Sequence, residues 1–163
     1  LQGRKGHGAM RHFTITPQET FLVAHIGGRA VREYDQEGKM LKEIKTPGMV
    51  YSAVRSEAGE TYFAWQHGVV KVAKDGKQKT LLTLDEKSKP FVHFFTSLSL
   101  VENGSVYVSS WLGHGHEGKG PSVIKIDKEG RILWTLTNPD QIANASSFTP
   151  LTKSLLENFK KRQ

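Results

Sequence analysis

The strongest constraint on this chain is that it repeats itself. Three segments superpose when their short apolar runs and the turns between them are aligned. The first runs Phe13-Thr14-Ile15, a turn at Pro17-Gln18-Glu19, Phe21-Leu22-Val23-Ala24-His25, Val31-Arg32-Glu33-Tyr34, a turn at Asp35-Gln36-Glu37-Gly38, and Met40-Leu41-Lys42-Glu43-Ile44. The second begins at Ser52-Ala53-Val54, turns at Glu57-Ala58-Gly59 and Lys74-Asp75-Gly76, and ends at Thr80-Leu81-Leu82-Thr83-Leu84. The third begins at Leu98-Ser99-Leu100, turns at Glu102-Asn103-Gly104 and Asp127-Lys128-Glu129-Gly130, and ends at Ile132-Leu133-Trp134-Thr135-Leu136. Each copy supplies four short strands, and glycine in the turns provides the positive φ that tight hairpins require.

Taking Phe21, Tyr62 and Val106 as equivalent gives intervals of 41 and 44 residues, and Phe13, Val54 and Leu98 give the same pair. That period matches a four-stranded propeller blade. A β-sandwich also has strands at regular spacing, but it does not account for turn chemistry that recurs. The expected fold is therefore all-β: about three four-stranded antiparallel β-propeller blades over 12–46, 50–86 and 94–138. An extra inner strand is expected over 142–149, where Ile142 to Phe148 follow the third blade. Beyond Pro150, Leu151, Leu155, Leu156 and Phe159 fall at helical spacing, with Ser154 and Glu157 placed as a capping box. Residues 151–163 are thus expected to form a short C-terminal amphipathic helix with a basic tail, after a propeller segment spanning 1–150.

Three blades and one strand do not close a ring, and open sheet edges invite pairing. The chain also lacks an initiating methionine, so the expectation is part of a six- or seven-bladed ring whose remaining blades are missing here. An edge-to-edge homodimer is the alternative.

The hairpins Tyr34-Asp35-Gln36-Glu37-Gly38-Lys39-Met40-Leu41 and Ile126-Asp127-Lys128-Glu129-Gly130-Arg131-Ile132-Leu133-Trp134 carry a family resemblance. They resemble the D-x-x-G-[KR] hairpin of pyrroloquinoline-quinone-like (PQQ-like), NHL-like and arylsulfotransferase-like β-propellers. The run Trp111-Leu112-Gly113-His114-Gly115-His116, followed by Gly120-Pro121-Ser122, resembles blades in bacterial members of that group. The resemblance is one of blade type over roughly 12 to 150. It implies a secreted or periplasmic setting and leaves the reaction open, because such blades serve lyases, dehydrogenases, transferases and scaffolds alike.

Composition narrows the chemistry further. The 163 residues contain no cysteine, which removes disulfides, thiolate ligands and cysteine nucleophiles. Lys and Arg number 23 against 16 Asp and Glu, a net charge of +7. The basic residues are scattered, so no dedicated nucleic-acid site is expected. No apolar run is long enough to span a bilayer, so no membrane span is expected. There is no P-loop, dinucleotide fingerprint or nucleophile elbow.

In a propeller, the loops after second and fourth strands lie at one end and the tight hairpins at the other. His12, His25, His67, His93, His114 and His116, six of the seven histidines, fall at the loop end. The candidate ligand-binding set is His25, His67, Trp65, His93, Trp111, His114 and His116. Trp65 and Trp111 are read as equivalent strand ends, and Tyr51 as a further stacking surface. Arg29 and Arg55 are candidates to neutralise a carboxylate or sulfate, while Trp134 is expected to pack between blades. His114-Gly115-His116 places two imidazoles on one side of an extended segment, with His67 or His93 as a third ligand for a divalent transition metal.

The leading functional expectation is a propeller-type scaffold that presents these loops to a small molecule or carbohydrate. Alternatives are a metal-assisted lyase or hydrolase built on the same histidines, and a protein-interaction platform using sheet edges or the tail.

Overall fold

The computed structural model describes residues 10–84, 93–101, 104–138, 140, 142 and 145–148. These form twelve strands in three four-stranded antiparallel sheets, each a simple meander. Blade one contains β1 (His12–Ile15), β2 (Phe21–His25), β3 (Ala30–Tyr34) and β4 (Met40–Lys45). Blade two contains β5 (Val50–Arg55), β6 (Thr61–Trp65), β7 (Gly68–Val72) and β8 (Gln78–Thr83). Blade three contains β9 (Phe94–Leu100), β10 (Val106–Trp111), β11 (Val123–Ile126) and β12 (Ile132–Leu136). The C-terminal helix and tail expected over 151–163 lie outside the described residues.

One turn design joins first to second and third to fourth strands in every blade. Each turn has five residues, the first N–H donating to the fifth carbonyl and the fourth N–H to the first, as in Asp35 to Lys39 and Gly38 to Asp35. The fourth residue is in the left-handed region in every case: Glu19, Gly38, Gly59, Gly76, Gly104 and Gly130. Aligning these turns makes Phe21, Thr61 and Val106 equivalent, at intervals of 40 and 45 rather than 41 and 44. The shift by one at the second blade arises because the turn there occupies Ser56 to Glu60 and leaves Thr61, not Tyr62, to open β6.

Blades join through apolar faces. Leu22, Ala24, Val31 and Ile44 of blade one pack on Ala53, Phe63, Val70 and Val72 of blade two. Tyr62, Ala64, Val69 and Leu81 of blade two pack on Leu98, Val106, Val108 and Ile124 of blade three. Burying one of the larger of these side chains, such as Leu22 or Phe63, contributes about 1.5–3 kcal/mol. Because side chains alternate across a strand, each blade gives one face to its predecessor and the other to its successor.

The first strands lie side by side and are stitched by hydroxyls. Thr14 Oγ1 donates to the Ala53 carbonyl at 2.9 Å, and the Leu98 N–H donates to Ser52 Oγ at 3.3 Å. The stitching continues past blade three, where Thr96 Oγ1 donates to the Ala145 carbonyl at 2.8 Å. No strand forms among the described residues of the expected segment 142–149. Ile142 makes a single antiparallel bridge with Asn138, while Ala145 to Phe148 have no ladder partner.

Candidate functional site

The antiparallel meander puts the six five-residue turns at one end of the blades and the connections that follow second and fourth strands at the other, the loop end, where they range from the two residues 66–67 to the longer 112–122. At the loop end, two β-bulges decide which aromatic side chains meet. In β5 the register passes from Val50 to Ser52, leaving Tyr51 unpaired, and in β9 it passes from Phe95 to Ser97, leaving Thr96 unpaired. An extra residue of this kind bends the strand and re-aims its side chains. Tyr51 of blade two consequently stacks on Phe94 of blade three, ring centroids 4.5 Å apart and planes 14° apart.

A continuous aromatic cluster grows from that pair. Trp111 lies 5.0 Å from Phe94, His93 lies 5.2 Å from Trp111 edge-on, and His114 lies 5.1 Å from Trp111, also edge-on. Tyr51 is buried and Phe94 and Trp111 half-buried, whereas His93 and His114 are exposed. Burial pushes the Tyr51 hydroxyl above its ordinary pKa, opposed by the nearby Arg11 cation. Gly113 (φ +95°) gives the loop a left-handed turn beside the rings of His93 and His116. His116 Nδ1 lies 3.2 Å from the His114 carbonyl, and the Lys119 ammonium donates to the Gly115 carbonyl at 2.9 Å.

The remaining sequence candidates fall into separate places. Trp65 pairs with Val50 and packs against the blade one–blade two core, with His67 edge-on at 5.5 Å. Trp111 pairs with Phe94 one ladder step beyond the position that corresponds to Trp65, so the two tryptophans are not equivalent. His25 lies with Nε2 3.0 Å from the Tyr34 hydroxyl. Among the described residues, no three His, Asp or Glu side chains are grouped so as to hold a metal ion, and the set His114, His116 and His67 is not assembled. The reason is local: His116 turns toward the His114 carbonyl, and His67 lies against Trp65.

Two further assignments are corrected. Arg55 sits at the hairpin end, where it pairs with Glu33 of blade one at 2.7 Å, each side chain 11% exposed. Trp134 is 46% exposed on blade three and meets Tyr107 edge-on at 6.3 Å, instead of being packed between two blades. Phe94 is the site residue that sequence reasoning missed; its signal was the Phe94-Phe95 doublet, in which alternation sends one ring to the core and the other to the loop end. At the hairpin end, a groove of about 440 Å³ runs between blades two and three, lined by Arg55, Glu57, Glu60, Tyr62 and Leu100.

Comparison with known proteins bears on the architecture. No family model matches the sequence, and no curated protein matches it. Among solved structures, a Bacteroides caccae protein of unknown function is similar with a TM-score of 0.69 and 23% identity, covering 87% of this chain and 54% of its own. The virginiamycin B lyase of Staphylococcus aureus is similar with a TM-score of 0.62 and 13% identity, over 86% of this chain and 44% of its own. The PQQ-bound aldose sugar dehydrogenase of Streptomyces coelicolor gives 0.58 and 11%, over 77% and 46%. The lyase and the dehydrogenase have β-propeller-like folds. This chain is built of propeller-like blades. It spans about half the length of each of these three structures. At these identities the likeness concerns fold alone.

Proposed function

We propose that the chain is a segment of a propeller-type binding scaffold whose loop end takes up a small ring-bearing molecule or a carbohydrate. The supporting observation is the cluster of Tyr51, Phe94, Trp111, His93 and His114, drawn from two blades and held in continuous ring contact. Neither Phe94 nor Trp111 belongs to the two cores that hold the blades together. Large rings left half-buried at the mouth of a rigid scaffold provide area for stacking, while neighbouring imidazoles provide hydrogen bonds that fix orientation.

Titration with a panel of neutral oligosaccharides and flat aromatic compounds, read by intrinsic tryptophan fluorescence, tests this reading. Saturable binding is expected, together with its loss in Trp111→Ala and its weakening in a His114→Ala and His116→Ala double variant. The histidine double variant should keep a thermal midpoint close to that of the parent chain, and Trp111→Ala should lose no more stability than Phe94→Ala. Binding that survives Trp111→Ala would move the ligand elsewhere, and equal loss of stability would make these side chains structural.

A further inference from the structure

The hydroxyl stitching between the first strands contains one member that can take up a proton near neutral pH. Ser52, fully buried in β5, has two neighbours at its Oγ. They are the Leu98 N–H of blade three, at 3.3 Å, and His12 Nδ1 of blade one, also at 3.3 Å. A backbone N–H can only donate, so Ser52 Oγ accepts from Leu98 and its single hydrogen is left for His12. Nδ1 is then the bare nitrogen of a neutral ring, with the proton on Nε2. Three blades thereby meet at one hydroxyl. Protonating His12 turns Nδ1 into a donor, so that Ser52 Oγ faces two donors and the serine hydrogen has no acceptor among the described residues. A buried polar group left in that state costs free energy, and here a new charge arises beside it.

We propose that His12 and Ser52 form a proton-sensitive clasp between blades one and two, closed while the imidazole is neutral and opened when it is protonated. The hydroxyl bond from Thr14 Oγ1 to the Ala53 carbonyl is then the remaining described stitch between the two first strands. β1 packs chiefly against β2 and β5, whose titratable groups are His25, Tyr51 and Arg55, and Arg11 precedes it. None of the four is a carboxylate that could compensate an imidazolium, and His25 and Arg55 are engaged with Tyr34 and Glu33. Burial accordingly lowers the pKa of His12 from its ordinary 6.5. Such a group binds fewer protons folded than unfolded. Its contribution is whole above the unfolded value and is lost as pH falls through the lower folded one. The loss begins above the carboxylate range in which Glu33 titrates.

The experiment follows the full chain from about pH 8 to about pH 5, the range in which histidine titrates. Long-range proton–nitrogen NMR of the parent chain is expected to show His12 as the Nε2–H tautomer at the alkaline end, with a pKa below 6.5. Ser52→Ala removes the donor to the neutral ring and should raise that pKa. Hydrogen exchange of the β1 amides, corrected for the intrinsic effect of pH, should lose protection severalfold across the range in the parent chain. It should stay level in His12→Gln, which has a side-chain carbonyl to accept from Ser52 and no proton to gain. An Nδ1–H tautomer in the parent chain would overturn the clasp without recourse to any variant. So would β1 protection that is indifferent to pH in the parent chain, or that falls equally in His12→Gln, or a His12 pKa unmoved by Ser52→Ala.

Discussion

Tyr51 and Phe94 stack face to face across a blade boundary, with ring centroids 4.5 Å apart and planes 14° apart. The pair therefore couples the loop-end site to the junction between blades two and three. Removing the Phe94 ring should cost about 2 kcal/mol, of which about 0.5–1.5 kcal/mol is the stacking interaction beyond area burial. Phe94→Leu, which keeps bulk and loses the stack, should cost about half as much as Phe94→Ala. Urea unfolding of the two variants checks this order, and a Phe94→Ala midpoint equal to that of the parent chain would show that the stack does not support the junction.

Glu33 and Arg55 tie blades one and two together at the opposite end. Burial raises the pKa of Glu33, but the hydrogen bond from Thr20 Oγ1 at 2.7 Å and the pairing with Arg55 together outweigh it and hold the carboxyl below its usual value of 4.5. A carboxylate with a depressed folded pKa binds fewer protons folded than unfolded. Its stabilisation is fully present above the unfolded value and is lost as pH falls through the lower folded one. Unfolding midpoints taken from pH 6 down to about pH 3 should therefore fall more steeply for the parent chain than for Glu33→Gln. At neutral pH that variant should lose about 3 kcal/mol, because it leaves the Arg55 cation buried without its partner. Parallel pH profiles would assign the acid sensitivity to other carboxylates.

Phe13, Ala53 and Leu98 occupy the same place in the first strand of successive blades, yet they are 54%, 0% and 4% exposed. Ala53 and Leu98 face a preceding blade, while Phe13 presents its ring on the outer face of blade one. Leu98→Ala is expected to cost about 3 kcal/mol through lost burial and the cavity it leaves. Phe13→Ala should change stability by no more than about 0.5 kcal/mol, despite deleting more atoms. Denaturant midpoints of the two variants make the comparison, and similar losses would show that the face bearing Phe13 is covered in solution.

The blades were legible because their signals are local. A five-residue turn carrying a positive φ at its fourth position can be recognised from a glycine and its flanking apolar runs, as at Gly38, Gly76 and Gly130. Sorting His93, Trp111 and His114 to one end needed only strand direction. Bulges were not legible, because one extra residue such as Tyr51 or Thr96 carries no compositional signature of its own while altering the register beyond it. Trp65 and Trp111 differ for another reason: Trp111 lies one ladder step further along its strand, past Ser110, and so pairs with Phe94. Lateral distance was also hidden: His25, His67 and His114 share an end of the meander, but each settles against its own aromatic neighbour, Tyr34, Trp65 and Trp111 respectively.

The turn design itself yields a test of backbone energetics. Among the six five-residue turns, Glu19 alone takes the fourth position without being glycine, at φ 58°. A side chain in the left-handed region costs about 1–2 kcal/mol, and relieving it is partly offset by the greater freedom glycine gives the unfolded chain. Glu19→Gly should therefore raise stability by roughly 0.5–1 kcal/mol. The reverse change separates conformation from space. At Gly38 (φ +80°) an added Cβ meets nothing within 4 Å, so Gly38→Ala should cost about 1 kcal/mol for its backbone angle alone. At Gly130 (φ +96°) the same atom would run into the Leu81 carbonyl of blade two. Gly130→Ala must therefore displace the blade two–blade three junction, and it should cost at least about twice as much as Gly38→Ala. Thermal midpoints of the three variants should rank Glu19→Gly first, Gly38→Ala next and Gly130→Ala last. If Gly130→Ala matched Gly38→Ala, the close approach to Leu81 would have no energetic weight.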